Sequence, residues 1–467
     1  MSELKTSEKN IIDNEKKEVQ ENKMGTLPVG KLLISMSLPI MISMIVQAMY
    51  NVVDSIFVSR IHEDALTAVS MAFPIQSLCV ALGAGMGVGI NALLSKSLGA
   101  KDQETVNKSA MNGIFMTFVN YIIFLILGLT VVRPFYAVQT DSEVIIEYGT
   151  QYLSVVCCFS FGMFFQFTFE RLLQSTGRTF QTMITQSTGA IINIILDPIF
   201  IFGLFGVKAY GVRGAAIATV IGQIVAATFA LFMNLKVNKE IQFSVRHFRP
   251  DMKIIGLIYK VGIPSIIMQS IGSLMVFCLN KILIVFSSTA VAVFGVYFKL
   301  QSFIFMPVFG LNNGLIPIIA YNFGAKKKKR MIDTIKCGII IAFSIMTVGM
   351  FLFELVPNAL LSMFDASENM MNMGKIALRT IAIHFPIAAI CIVLGSTFQA
   401  LGNAIYSMFV SIARQIVVLI PVAYFLASLG SVNYVWWCFP IAEIMSLTIT
   451  LVFFAKMKRQ EIDPIEG

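Results

Sequence analysis

Long runs of apolar residues, separated by short polar turns, occupy almost the whole chain beyond residue 31. A membrane-spanning helix needs about 20 consecutive, mostly apolar residues, and twelve runs reach that length. The pattern therefore predicts an all-α polytopic membrane protein with twelve spans, at 32–58, 65–94, 112–132, 150–172, 180–204, 213–235, 255–286, 290–322, 334–357, 377–400, 405–428 and 433–455.

Composition supports this prediction. Hydrophobic residues make up 57% of the 467 residues, charged residues 13%, and the mean hydropathy is +0.79, whereas a soluble protein carries about 25% charged residues. The seven cysteines show no C-x-x-C spacing, so neither a disulfide framework nor a zinc site is predicted.

The basic residues predict the orientation. Of the Lys and Arg residues, 26 fall in the termini and the turns on their side, and six fall in the opposite turns. The positive-inside rule then places both termini in the cytoplasm. The run KKKKR at 326–330 is interpreted as a topology signal that touches anionic lipid, and no nucleic-acid partner is predicted.

The expected organisation follows from the spans. The first 31 residues are polar and lysine-rich, and we expect a disordered cytoplasmic tail because they have little apolar surface to bury. Residues 32–235 and 255–456 would form two six-helix lobes, joined by a basic cytoplasmic linker at 236–254. Residues 457–467 would form a second cytoplasmic tail.

The two predicted lobes repeat each other at an offset of 225 residues. The landmarks are Pro39 and Pro264, Gln76 and Gln301, Lys101 and Lys326, Gln174 and Gln399, and Gly177 and Gly402. Because each lobe has an even number of spans, the repeats have the same topology. Parallel repeats of this kind are typical of transporters whose substrate site lies between the halves. No P-loop is present, so the energy would come from an ion gradient.

Two acids interrupt apolar runs in the first lobe only. Asp54 in YNVVDSIFV and Asp197 in NIILDP correspond to Leu279 and Val422 in the second lobe. An acid at mid-bilayer costs roughly 2.5–3.5 kcal/mol, and such residues are usually functional. The alternative is a fixed hydrogen-bond acceptor that orients helices.

Each acid has polar neighbours one turn before it: Tyr50 and Asn51 precede Asp54, and Asn193 precedes Asp197. Pro39 interrupts the first span and Pro198 the fifth, so both are candidate hinges. Gln174 is also predicted as an ion-coupling or substrate residue, and the secondary polar candidates are Gln47, His384, Arg414 and Glu443. For His384 the simpler interpretation is a hydrogen-bonded interior side chain, and for the scattered charges it is mutual pairing.

Several motifs together resemble the multidrug and toxic compound extrusion (MATE) family, most closely its DinF-like branch and its Gram-positive multidrug relatives. They are SLPIMISMIVQAMYNVVDSIFV, LGAKDQE, LLQSTGR, NIILDPIFIFG, GVRGAAIATVIGQ and GLIPIIAYNFGAK. The resemblance implies a V-shaped, two-lobe antiporter that exports amphipathic cations in exchange for H⁺ or Na⁺. It also implies that Asp54, Tyr50, Pro39, Asn193 and Asp197 match the family's functional positions.

The second lobe departs from sodium-coupled relatives, which carry acids in spans 7 and 10. Here Gly272 stands where the glutamate would fall, and span 10 has only His384. We therefore expect coupling in the first lobe, with protons favoured over Na⁺ at Asp54, Asn193 and Asp197.

The leading hypothesis is a multidrug antiporter without a cofactor, working as a monomer in the bacterial cytoplasmic membrane. Its partners would be lipophilic cations and membrane lipid. A flippase for a lipid-linked precursor is the alternative, supported by Lys281, Lys299 and Arg414. A membrane enzyme or structural protein is disfavoured because the chain offers no catalytic constellation.

Overall fold

The computed structural model describes residues 21–61, 63–244, 248–364 and 366–465. Over these residues the regular secondary structure is helical. Ten helices in the described part are long and apolar enough to cross a membrane, and twelve spans result when each of two bent helix pairs is counted as one. The predicted twelve-span, all-α fold is confirmed.

The spans are labelled α1 to α12 in chain order. Their bounds are α1 Val29–Ser59, α2 Phe73–Gly99, α3 Gln103–Thr130, α4 Glu143–Cys158 with Phe161–Ser175, α5 Thr179–Phe202, α6 Val212–Val237, α7 Met252–Leu283, α8 Ser288–Gly324, α9 Lys328–Leu355, α10 Glu368–Ala382 with Phe385–Ala400, α11 Ala404–Ser428, and α12 Cys438–Met457. Short helices lie between them at Lys23–Thr26, Glu63–Met71, Val132–Ala137, Leu204–Gly206, Pro357–Ser362 and Val432–Val435.

The repeat is visible in the helix boundaries themselves. The first residues of α3 and α9 are 225 residues apart, and so are their last residues. The same offset separates the start of α4 from the start of α10 and the end of α4 from the end of α10. The bends also correspond, because α4 bends by 42° near Phe159 and α10 by 46° near His384. The offset that the sequence predicts therefore holds at the level of backbone geometry.

The first span of each half packs against the other half. α1 contacts α8 as well as α5, and α7 contacts α2 as well as α11. Accordingly Leu32, Leu33 and Met36 of α1 belong to the hydrophobic core of the second half, while Ile254 and Ile258 of α7 belong to that of the first half. Because α1 and α7 each pack into the core of the opposite half, they hold the two halves together.

Residues 21–28, part of the expected disordered tail, are ordered in the structure, and so is the start of the expected C-terminal tail. Residues 23–26 form a helical turn with Met24 fully buried, and α1 begins at Val29. At the other end, a wide-turn helix continues α12 over Lys458–Ile462, and Ile462 is fully buried. Each of these polar segments is anchored by one buried apolar side chain, Met24 or Ile462. The average composition of a segment does not reveal such a single anchor. The prediction for residues 1–20 lies outside the described residues.

Candidate functional site

Asp54 and Asp197 meet where α1 packs on α5. Asp197 is fully buried, and its carboxyl group lies close enough to that of Asp54 for the two to interact. The Asp54 Oδ1 atom is also buried, and it has no hydrogen-bond partner among the described residues. An unpartnered buried acceptor is costly, so this oxygen marks a position where a ligand or water would be stabilised.

Asn193 and Thr219 complete the site from α5 and α6. The Asn193 amide satisfies its neighbours when its nitrogen donates to Asp197 Oδ2 at 3.2 Å and its oxygen accepts from the Thr219 backbone N–H at 3.1 Å. This orientation is assigned from the hydrogen-bond network. Asn193 is buried, so the amide fixes Asp197 relative to α6.

Tyrosines enclose the acids on the side of α4. Tyr50 lies close enough to interact with both carboxyl groups, and Tyr152 of α4 lies close to Asp54 and Tyr50. The Tyr152 hydroxyl accepts a hydrogen bond from Gln76 Nε2 at 3.0 Å. Sequence reasoning missed Thr219 and Tyr152 and treated Gln76 only as a repeat landmark, because helix faces that meet in space carry no local sequence signal.

Gln47, Asn51 and Gln174 are the other polar candidates of the first half. Gln47 accepts a hydrogen bond from Gln186 Nε2 at 2.7 Å and so joins α1 to α5 two turns before Asp54. Asn51 is exposed on α1. Gln174 lies near the opposite end of the bundle, where its Oε1 accepts from Arg171 Nη1 at 2.8 Å. Gln174 is therefore not part of the acid site.

The candidate hinges lie within continuous helices. α1 runs unbroken across Pro39, and α5 runs across Pro198. A proline leaves the carbonyl four residues earlier without its helical partner, and for Pro39 that carbonyl belongs to Ser35. It accepts a long hydrogen bond from Thr179 Oγ1 at 3.5 Å. Bending at these prolines stays a prediction.

The second half has a different polar centre. Arg414 Nη1 of α11 contacts Glu443 Oε2 of α12 at 3.0 Å, and the Glu443 side chain is 3% exposed. Arg414 lies in a wide-turn segment of α11, Ala413–Leu419. His384 is buried at the α10 bend, where its ring stacks on Phe439 with centroids 5.9 Å apart. Leu279, which corresponds to Asp54, is fully buried.

Metal ligands do not cluster in the described part of the chain, where no group of three or more His, Cys, Asp and Glu side chains is suited to hold an ion. The acid site offers two carboxyl groups, one amide and a hydroxyl. The carboxyl oxygens of this site fit a proton, a hard cation such as Na⁺, or an organic cation.

Two six-span halves in parallel repeat, with Asp54 and Asp197 brought together in one of them, define a membrane transporter rather than an enzyme. The chain belongs to the MatE family, whose sequence model matches it twice, at residues 39–199 and 264–425. The two matches begin 225 residues apart, at Pro39 and Pro264. The MATE resemblance of the sequence motifs is thereby confirmed.

Similar proteins are found among bacterial exporters. The multidrug export protein MepA of Staphylococcus haemolyticus is 27% identical over 437 residues, covering 93% of this chain and 95% of that protein. MepA of Staphylococcus aureus is 26% identical over 441 residues, with coverage of 94% and 96%. A solved multidrug resistance MATE family transporter in an outward-facing conformation superposes with a TM-score of 0.89. It is 24% identical and covers 96% of this chain and 98% of its own.

Proposed function

We propose that this protein is an ion-coupled antiporter that exports amphipathic, mostly cationic compounds, and that Asp54 and Asp197 form the site shared by cargo and coupling ion. The observation that carries the proposal is the contact between these two carboxyl groups at membrane depth. Two like charges so close, away from water, resist joint ionisation. A proton, a cation or a charged drug relieves the repulsion, so these ligands compete for one site.

Protons are the favoured coupling ion. A single proton relieves the repulsion between two neighbouring carboxyl groups and lets one donate to the other, and Asp54 and Asp197 lie close enough together for that. In the second half the only acid at the polar centre, Glu443, is paired with Arg414. Sodium is the second candidate because the two carboxyl groups supply hard oxygen ligands.

The relatives are named multidrug export proteins, and the acidic site would favour a lipophilic cation as cargo. Tyr50 and Tyr152 beside the carboxyl groups offer aromatic faces for cation–π contact. A lipid-precursor flippase would need an unpaired basic centre, whereas Arg414 is engaged by Glu443.

The positions of the terminal segments bear on the orientation of the protein in the membrane. The described parts of both terminal segments lie at one end of the molecule, since Asn22 contacts Thr176 and Asp463 contacts Lys328 of the basic run. With the positive-inside rule this end would be cytoplasmic. We place the protein in the bacterial cytoplasmic membrane.

Proteoliposomes loaded with ethidium test this function. We expect an imposed pH gradient to drive ethidium transport and Asp54→Asn to reduce it to background, because the substitution removes both the charge and the exchangeable proton. Asp141→Asn, which removes an exposed acid from a loop, is the control and should transport normally. Transport driven only by a sodium gradient would replace H⁺ by Na⁺, and full transport by Asp54→Asn would overturn the shared-site assignment.

A further inference from the structure

Residues 21–27, here called the strap, cross from one half of the molecule to the other. On the first half, Asn22 Nδ2 donates to the Thr176 carbonyl at 3.0 Å and to Glu240 Oε1 at 3.2 Å. Glu240 is itself held by Arg178 Nη2 at 2.9 Å. The strap is thus tied to the turn between α4 and α5 and to the loop after α6.

The second half holds the strap through three side chains. Asn322 Nδ2 donates to the Met24 carbonyl at 3.1 Å, and Arg330 Nη2 donates to the Leu27 carbonyl at 2.7 Å. Lys327 Nζ donates to the Gly25 carbonyl at 3.0 Å and forms an ion pair with Glu21. Met24 is fully buried in the hydrophobic core of the second half. Hydrogen bonds from charged donors are stronger than neutral ones, so this attachment is firm.

The strap lies where the two halves meet backbone to backbone. A Cβ on Gly99 of α2 would overlap the Tyr321 carbonyl of α8, and a Cβ on Gly324 of α8 would overlap the Lys96 carbonyl of α2. Gly99 and Gly324 are repeat-related positions. The end of the molecule that carries the strap is therefore closed in this conformation.

The repeat shows that the anchors are particular to the second half. The positions that correspond to Lys327 and Arg330 are Asp102 and Thr105. Asp102 and Thr105 bond each other, with Thr105 Oγ1 donating to Asp102 Oδ2 at 2.6 Å. Lys327 and Arg330 instead reach outward to the strap. In the first half the side chains of this loop form hydrogen bonds within the loop. In the second half they form hydrogen bonds to the strap.

We propose that the strap is a latch that stabilises the closed state of this end and detaches from one half whenever the end opens. A segment of seven residues that is bonded to both halves cannot keep both attachments once the halves separate. The proposal rests on the proposed function only in that alternating access is what would open this end. Each transport cycle would then include breaking and remaking the strap contacts.

Double electron–electron resonance, which measures the distance between two spin labels, tests the latch. The labels would sit on the exposed positions Lys239 and Lys336, after replacement of the seven native cysteines, in liposomes without cargo or gradient. We expect Arg330→Met to raise the ratio of long to short distances about tenfold, because it removes two charged hydrogen bonds to the strap. Asn22→Ala, which releases the opposite anchor, should shift the ratio in the same direction.

Lys329→Met is the matched control. Lys329 belongs to the same basic run but is exposed and has no hydrogen bond or ion pair within the described residues, so the substitution should leave the distances unchanged. Unchanged distances in both Arg330→Met and Asn22→Ala would overturn the latch, and so would an equal shift in Lys329→Met. Should Arg330→Met fail to fold, Asn22→Ala decides alone. The readout needs no transport, so it is independent of whether ethidium is exported.

Discussion

The two halves share the order of their six spans but differ in the arrangement of charge. In the first half, Asp54 and Asp197 face each other without a basic partner in the described residues. In the second half, Leu279 and Val422 stand at those positions. The second half places Arg414 and Glu443 as a pair where the first has Gly189 and Ala218. The halves share their scaffold, and the acidic or apolar side chains at these corresponding positions distinguish them.

Helix spacing differs in the same way. α5 and α6 approach closely, since a Cβ on Gly189 would lie 2.9 Å from the Gly222 carbonyl oxygen. The equivalent helices α11 and α12 are joined through the Arg414–Glu443 pair, and α11 widens at Ala413–Leu419. Wide-turn segments of this kind often mark specialised sites. The second half thus uses a fixed charge pair where the first uses close packing beside titratable groups.

Breaking that pair should have the largest effect on stability. Arg414→Met would leave Glu443 buried and unpaired, and removing one partner of a buried ion pair costs about 3–5 kcal/mol. We expect a marked fall in the thermal unfolding temperature of the purified protein. The double variant Arg414→Met with Glu443→Leu should recover most of the loss. If the single variant were as stable as wild type, the pair would not be a structural element of the second half.

The contact between the halves offers a second, smaller perturbation. Gly324→Ala should force α8 away from the Lys96 carbonyl, and overpacking of this kind costs about 1–3 kcal/mol. Because the strain exists only when this end is closed, the spin-label distances should shift towards the open state. Gly295→Ala, in the same helix with no atom within 4 Å of the added Cβ, should show no shift. Equal behaviour of the two variants would contradict the close-contact interpretation.

The sequence predicts the scaffold well, since span length, charge bias and the 225-residue offset are properties of the chain itself. The pairing of Asp54 with Asp197 depends on which helix faces meet, and only the family resemblance suggested it. Gln174 was grouped with the acids because it is a landmark of the repeat. The structure shows that this landmark marks a turn at the far end, next to Gly177 with its positive φ of 85°.

The missed features share a physical cause. Tyr152 and Thr219 reach the acids from α4 and α6, and their neighbours in sequence give no hint of it. Arg414 and Glu443 were visible as intramembrane charges, but their partnership needed the packing of α11 on α12. The strap was hidden because its order depends on Met24 and a few carbonyl groups rather than on average hydrophobicity.

The smallest expected effect concerns the loop before α3, which differs from the corresponding loop before α9. Asp102 caps α3 by accepting from the Thr105 backbone N–H at 3.0 Å, and these bonds, chiefly the one from the Thr105 hydroxyl, hold the pKa of the carboxyl group below its ordinary value. Asp102→Ala should cost about 0.5–1 kcal/mol, at the low end for caps because the site is exposed.

The sign of the pH dependence follows from that lowered pKa. The stabilisation by Asp102 is complete above the ordinary aspartate range and is lost as the pH falls through the folded-state value. Asp102→Asn, which keeps a capping oxygen, should remain nearly as stable as wild type at neutral pH but lose this dependence. Lys327, the equivalent residue of α9, makes no side-chain cap, so Lys327→Ala should leave the start of α9 intact. Unfolding curves between acidic and neutral pH would show whether only the first copy of the loop depends on its cap, and an equal pH dependence in Asp102→Ala and wild type would contradict it.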